Sequence, residues 1–307
     1  MANLLSAPLP DESSIGEAWI LSDRDDHPSL VAEGPLKGTT IAQLLEQSPK
    51  QLMGNLAGRF PRFPLLLKFL DVSRTLSVQV HPSDANIDLI PPGETGKTEA
   101  WVVLEVGRES RIYAGLKPGN TAETLRGAIA NGTLEEHLAS FRPKPGDGIL
   151  VRSGTVHSLS DVVVFEVQEN SDVTFRLYDW DHVDPKTGQR RSLQLDQALA
   201  CIDFKQGAIG PVAPVVEKLN GHKRERLLLC EHFGVWRIGA EAPFTVGAVD
   251  TPRVLVCIGG EGRLEHGGVN YGFARGDVLL LPAVVGACSC RPLVEVSLLE
   301  ISLPEAA

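Results

Sequence analysis

LSVQVHPSDANIDLIPPGETGKTEAW, residues 76–101, is the stretch from which the rest of the chain can be read. It opens on a strand pattern, Val78-Gln79-Val80-His81, and Pro82 stops the run. Side chains alternate faces along a strand, so Gln79 and His81 share one face and the two valines the other. After a Pro/Gly-rich loop a second strand pattern begins at Lys97 and runs to Val106. There Lys97, Glu99 and Trp101 share a face. One short segment therefore presents an amide oxygen, an imidazole, a carboxylate and an ammonium from two strands. Imidazole with carboxylate and an open position suits a divalent metal, zinc especially. A lone strand histidine is more often a hydrogen-bonded structural residue, so this reading needs support from elsewhere in the chain.

The 307 residues leave room for two domains or one large β architecture. Thirty glycines, 21 prolines and many short valine-rich runs point to β structure with frequent turns. A formal charge of −10 disfavours a nucleic-acid partner, since phosphate backbones call for a basic surface. A small anionic substrate remains compatible where a few cations converge. No apolar run reaches membrane-spanning length, and the first residues lack the basic start and long apolar core of a signal peptide. The expected location is the cytoplasm, with no membrane partner; oligomeric state is left open. Five cysteines without a Cys-x-x-Cys pair read as buried reduced thiols.

Along the chain, residues 15–22 read as a first strand. Residues 39–47 read as a helix capped by threonine, and 65–70 as a strand buried on both faces with Lys68 snorkelling from its end. A short strand at 111–116 follows, then helices over TAETLRGAIANG and TLEEHLASF. A strand at 162–167 leads into QENSDVTFRLYDWDH. A boundary is expected near 200–215, at QGAIGPVAPVV. An internal echo supports two related halves. Strand, Gly-Asp corner and strand recur at 102–107 with Gly146-Asp147, and at 254–259 with Gly276-Asp277. Such units build small β-barrels and jelly rolls. Ten residues beyond Asp147 lies His157; ten beyond Asp277 lies Ala287. Aligning the preceding strands puts Thr251 opposite Glu99. The expected fold is mainly β: two cupin-like β-barrel or jelly-roll domains with a few short helices. Residues 1–204 form the catalytic metal-binding domain with helical insertions, and 205–307 a degenerate domain without metal.

Gln79, His81, Glu99 and His157 thus form a candidate donor set. The pieces FPLLLKFLD (63–71), LSVQVHPSDA (76–85), GKTEAW (96–101), GTVHSL (154–159) and ENSDVTFRLYDWD (169–181) together resemble the type I mannose-6-phosphate isomerases, in their short bacterial form and within the cupin superfamily. The resemblance covers most of residues 15–185 and thins to general cupin character in the last third. It implies zinc on Gln79, His81, Glu99 and His157. It also implies Lys97, Arg176 and the acidic Glu166 in the active site. Two departures stand out. Arg152-Ser153-Gly154 replaces the usual Pro-Ala-Gly, and His182 stands where many relatives have arginine.

The reaction the resemblance implies moves a proton between C1 and C2 of a sugar phosphate through an enediolate, converting mannose 6-phosphate to fructose 6-phosphate and back. That requires a base and an electrophile for the oxyanion, and zinc is a suitable Lewis acid. Lys97 and Arg176 supply fixed positive charge. Glu166 or a water on the metal carries the proton, and the sequence does not choose between them. Without the resemblance Glu166 and Arg176 read as ordinary ion pairs, and Trp101 as core. Two other readings belong to different classes. One is a non-catalytic metal-binding cupin that senses a sugar phosphate, against which the joint presence of Lys97, Glu166 and Arg176 speaks. The other is an iron oxygenase, disfavoured by Gln79 and by the absence of a His-x-His pair.

Overall fold

The computed structural model describes residues 15–184, 187–219 and 222–304. It is mainly β, with short helices at Ile41–Gln47, Pro49–Met53, Ala122–Ala130 and Leu195–Cys201. The chain divides into two compact units, Met1–Lys68 with Ala213–Ala307, and Phe69–Val212. The later boundary falls inside QGAIGPVAPVV. The N-terminal segment groups with the C-terminal strands, whereas the sequence assigns it to the domain ending at 204. One reason is visible in the backbone. Asn55 N donates to Asp250 O at 2.9 Å, and at Gly54 a Cβ would stand 2.1 Å from that same oxygen.

In the unit Phe69–Val212 the three-residue strand Val78–Val80 lies between Phe175–Tyr178 and His157–Glu169. The long strand Glu99–Leu116 pairs with His157–Glu169 from Glu99↔Gln168 at one end to Ala114↔His157 at the other. Two register shifts, at Val103/Glu105 and Val106/Arg111, interrupt this ladder. Bulges of this kind bend and twist a strand pair. The reading of two separate strands on either side of residue 107 is corrected accordingly: one continuous strand bends there. Gly148–Val151 and Leu138–Phe141 also pair with the long strand. TLEEHLASF is not a second helix. It gives one 3₁₀ turn, Leu134–His137, and then the strand Leu138–Phe141, because pairing with Ile112, Tyr113 and Leu116 outweighs its weak helical preference. Thr40 and Thr121 cap their helices through reciprocal capping boxes, as their sequences suggest.

In the other unit a six-stranded sheet and a four-stranded sheet enclose a core that includes Leu255, Cys257, Cys290 and Leu298. Lys68 does not snorkel. It is buried, 4.0 Å from Glu17 and 4.6 Å from the centre of the Trp19 ring. The Gly-Asp corner recurs atom for atom. Asp147 Oδ2 accepts from Lys144 N at 2.8 Å and Asp277 Oδ2 from Ala274 N at 2.8 Å. Among the described residues neither sheet system closes into a continuous barrel.

Candidate metal centre and active site

Sheet register assembles the site. Gln79 lies directly opposite His157 on one neighbour and Arg176 on the other. Directly opposed residues point to one face, so these three form a row. The ladder between Glu99–Leu116 and His157–Glu169 adds two rungs that share a face, Glu99↔Gln168 and Trp101↔Glu166. The bend at the bulges then brings the two ends of that ladder together. His157 Nε2 lies 3.3 Å from Glu99 Oε1, and His81 Nε2 lies 3.2 Å from Glu99 Oε2. The candidate donor atoms of His81, Glu99 and His157 all fall within 4.8 Å of one another. The Gln79 amide reaches the same point, 3.2 Å from His157 Nε2. Which end of the amide faces inward is set by what it binds.

The imidazoles are aimed from behind. His81 Nδ1 donates to the Val173 carbonyl at 2.8 Å and His157 Nδ1 to the Thr155 carbonyl at 2.9 Å. Each bond fixes the tautomer and leaves Nε2 with its lone pair turned inward. The segment carrying Val173 is itself tied down, since buried Gln168 donates to the carbonyls of Ser171 and Glu169. His81 Nε2 and Glu99 Oε1 are buried and have no hydrogen-bond partner, and Glu99 Oε2 meets the Lys97 ammonium at 3.0 Å. Buried polar atoms are costly to leave unsatisfied. A cation on the inward lone pairs satisfies the two unpartnered atoms, so the residues fit a metal.

Electrostatics agree with this. Burial lowers the His81 pKa to about 3, with the Lys97 charge adding and Glu99 opposing. Burial likewise lowers His157. Burial alone raises a carboxyl pKa, yet the Lys97 charge foremost holds Glu99 well below the usual range. Burial also pulls Lys97 down, and Glu99 followed by Glu166 outweighs it and raises it. The centre is therefore two neutral imidazoles, one carboxylate and, 3.0 Å from Glu99, a charged ammonium. Those are the protonation states that metal binding requires.

Arg176 donates from Nη1 to Ser192 O at 3.0 Å, while its backbone N–H bonds to the Gln194 side chain. Glu166 is buried and accepts from Trp101 Nε1 at 2.9 Å. The backbone carbonyls of Val173 and Thr155, and Gln168, are not found from the sequence; none belongs to a recognisable spacing pattern. Arg152 and His182 are exposed, and the turn before His157 is kept by Gly154.

Residues 1–94 match the family model "Phosphomannose isomerase type I, catalytic domain". The chain is 36% identical over 280 residues to mannose-6-phosphate isomerase ManA of Bacillus subtilis (strain 168), covering 88% of this chain and 84% of that protein. The chain belongs to the type I phosphomannose isomerases. The crystal structure of the mannose 6-phosphate isomerase from Bacillus subtilis superposes with a TM-score of 0.89 at 30% identity, covering 98% of this chain and 94% of the other. A zinc-bound mannose 6-phosphate isomerase shares the fold at 15% identity, with a TM-score of 0.75 over 99% of this chain and 95% of that one. As in the first half of this phosphomannose isomerase, the second half keeps the Gly-Asp corner, and its register revises one correspondence. Val103 N bonds to Asp147 O, and Cys257 N to Asp277 O. Counting back four from each, and matching Glu99↔Val151 with Arg253↔Leu281, sets Arg253 in the place of Glu99. Thr251 lies two residues short of it. A cation thus stands where the first half has its carboxylate.

Proposed function

We propose that the protein interconverts mannose 6-phosphate and fructose 6-phosphate, with zinc held by Gln79, His81, Glu99 and His157. The observation that carries this reading is the buried convergence of His81, Glu99 and His157, with both imidazoles oriented by backbone carbonyls and their Nε2 atoms turned toward Glu99. When bound, zinc supplies Lewis acidity toward the sugar carbonyl. Glu166 takes the proton from one carbon of the C1–C2 pair and returns it to the other. Lys97, kept charged by Glu99 and Glu166, offers a positive N–H donor to the oxygen on which enediolate charge develops. Arg176, on the rung beside Gln79, offers its guanidinium to the phosphate or the enediolate. Burial of His81, Glu99, Lys97 and Glu166 excludes water from the proton path.

The division of labour belongs to the same proposal. Chemistry resides before residue 204, and 205–307 form a cupin-like β-domain without a metal. Arg253 and Ala287 at the positions of Glu99 and His157 support that. The substrate is a small sugar phosphate, with no nucleic-acid or membrane partner. No described helix is long and apolar enough to cross a membrane. The cysteines are thiols, in keeping with a cytoplasmic enzyme. A coupled assay on mannose 6-phosphate, run before and after chelation, tests the reading. Turnover that falls on chelation and returns with Zn²⁺ is expected. A zinc-loaded protein with no turnover overturns it in favour of the sugar-phosphate sensor.

A further inference from the structure

We propose that Trp101 is a positioning residue for catalysis, acting through Glu166; this rests on the isomerase reading with Glu166 as proton carrier. Trp101 is buried, 1% exposed, and its rung with Glu166 lies two along from Glu99↔Gln168, on the same face. Its indole N–H donates to Glu166 Oε2 at 2.9 Å. Its ring meets the His157 ring edge-on, with centroids 5.5 Å apart and an interplanar angle of 66°. One rigid side chain therefore touches both the proton carrier and a metal ligand. An indole N–H donates and never accepts, so it favours the carboxylate over the carboxylic acid. It also helps set the rotamer of Glu166, a buried carboxylate whose placement decides where the proton is taken. Phenylalanine at 101 would keep the ring and lose the donor.

The test is a double-mutant cycle of Trp101→Phe and Glu166→Gln, read on mannose 6-phosphate with zinc content measured for each protein. Trp101→Phe is expected to lower kcat about 10- to 100-fold, with KM within about twofold and zinc stoichiometry unchanged. In the Glu166→Gln background the same change is expected to move kcat by less than about twofold, because the group it acts through is already disabled. Losses that multiply, an unchanged kcat, or loss of zinc with activity would each overturn the proposal. Full activity in Glu166→Gln removes Glu166 as proton carrier, and Trp101 with it. An inactive wild type instead overturns the isomerase reading itself. A ¹⁵N-indole spectrum of the wild type does not depend on how the Trp101 variant folds. The Trp101 N–H should be slow to exchange, and Glu166→Gln should shift it; a resonance that ignores Glu166→Gln counts against the bond.

Discussion

Arg176 and Lys97 bring positive charge to the site by different routes. Lys97 is buried beside Glu99 and is bound into the electrostatics of the donor set. Arg176 stands outside that set, on the far side of Gln79, with its own anchor on Ser192 O. Arg176→Ala should therefore leave zinc stoichiometry unchanged while kcat and kcat/KM fall together, by about 10²- to 10³-fold. Steady-state kinetics with metal analysis checks this, and near-normal kcat would reduce Arg176 to a structural ion pair. The donor residues themselves are legible in the sequence, because QVHP, GKTE and GTVH each place a ligand type at a set spot on a strand. What lies beyond reach is the rung partner. Alternation says which face Trp101 takes; only register says that Glu166 sits opposite it and that the two bond. The same limit explains Thr251, since the loop before the second-half strand hides where pairing begins, and Arg253 is its first paired residue.

At the level of elements, the turn before His157 positions this candidate metal ligand. Gly154 N donates to His81 O at 2.8 Å, so the turn ties two ligand-bearing segments together. Gly154 has φ +81°, and a Cβ there would lie 3.1 Å from both Asp203 N and Cys201 O. Gly154→Ala should cost about 1–2 kcal/mol from the left-handed backbone alone and weaken zinc binding as well. Urea denaturation and a competition titration for zinc read the two effects. Unchanged values in both would show that the turn tolerates a side chain and does not aim His157. The exposed Arg152 replaces the usual proline without disturbing this role, because the glycine does the turning. The strands are mostly visible in sequence as short valine- and leucine-rich runs, and the helices Ile41–Gln47 and Ala122–Ala130 as capped apolar repeats; Leu195–Cys201 has no side-chain cap and is not read from the sequence. The continuous Glu99–Leu116 strand is not, because a bulge interrupts alternation and looks like a loop in sequence.

For the whole chain, the expectation is one zinc. His81, Glu99 and His157 are the one group of three histidine, cysteine, aspartate or glutamate residues gathered closely enough for a metal among the described residues. His157→Ala should abolish zinc binding, as measured by metal analysis of the purified protein; two tightly held ions, or one surviving in that variant, would show that the second half binds metal after all. A further consequence comes from the doubled-back ladder. Glu99 and His157 sit at opposite ends of a run of paired residues that would extend roughly 40 Å if straight, yet their side chains meet at 3.3 Å. The donor set therefore does not exist in a flat sheet and comes into being only when the curl is complete. A metal that recognises this arrangement binds only the curled sheet and acts as a latch on the finished structure. Zinc should lengthen the lifetime of the folded state and leave the rate of reaching it nearly unchanged. In stopped-flow experiments the unfolding arm should slow with added Zn²⁺ and the refolding arm should not; acceleration of refolding would mean that the curl forms early and waits for the rest of the chain.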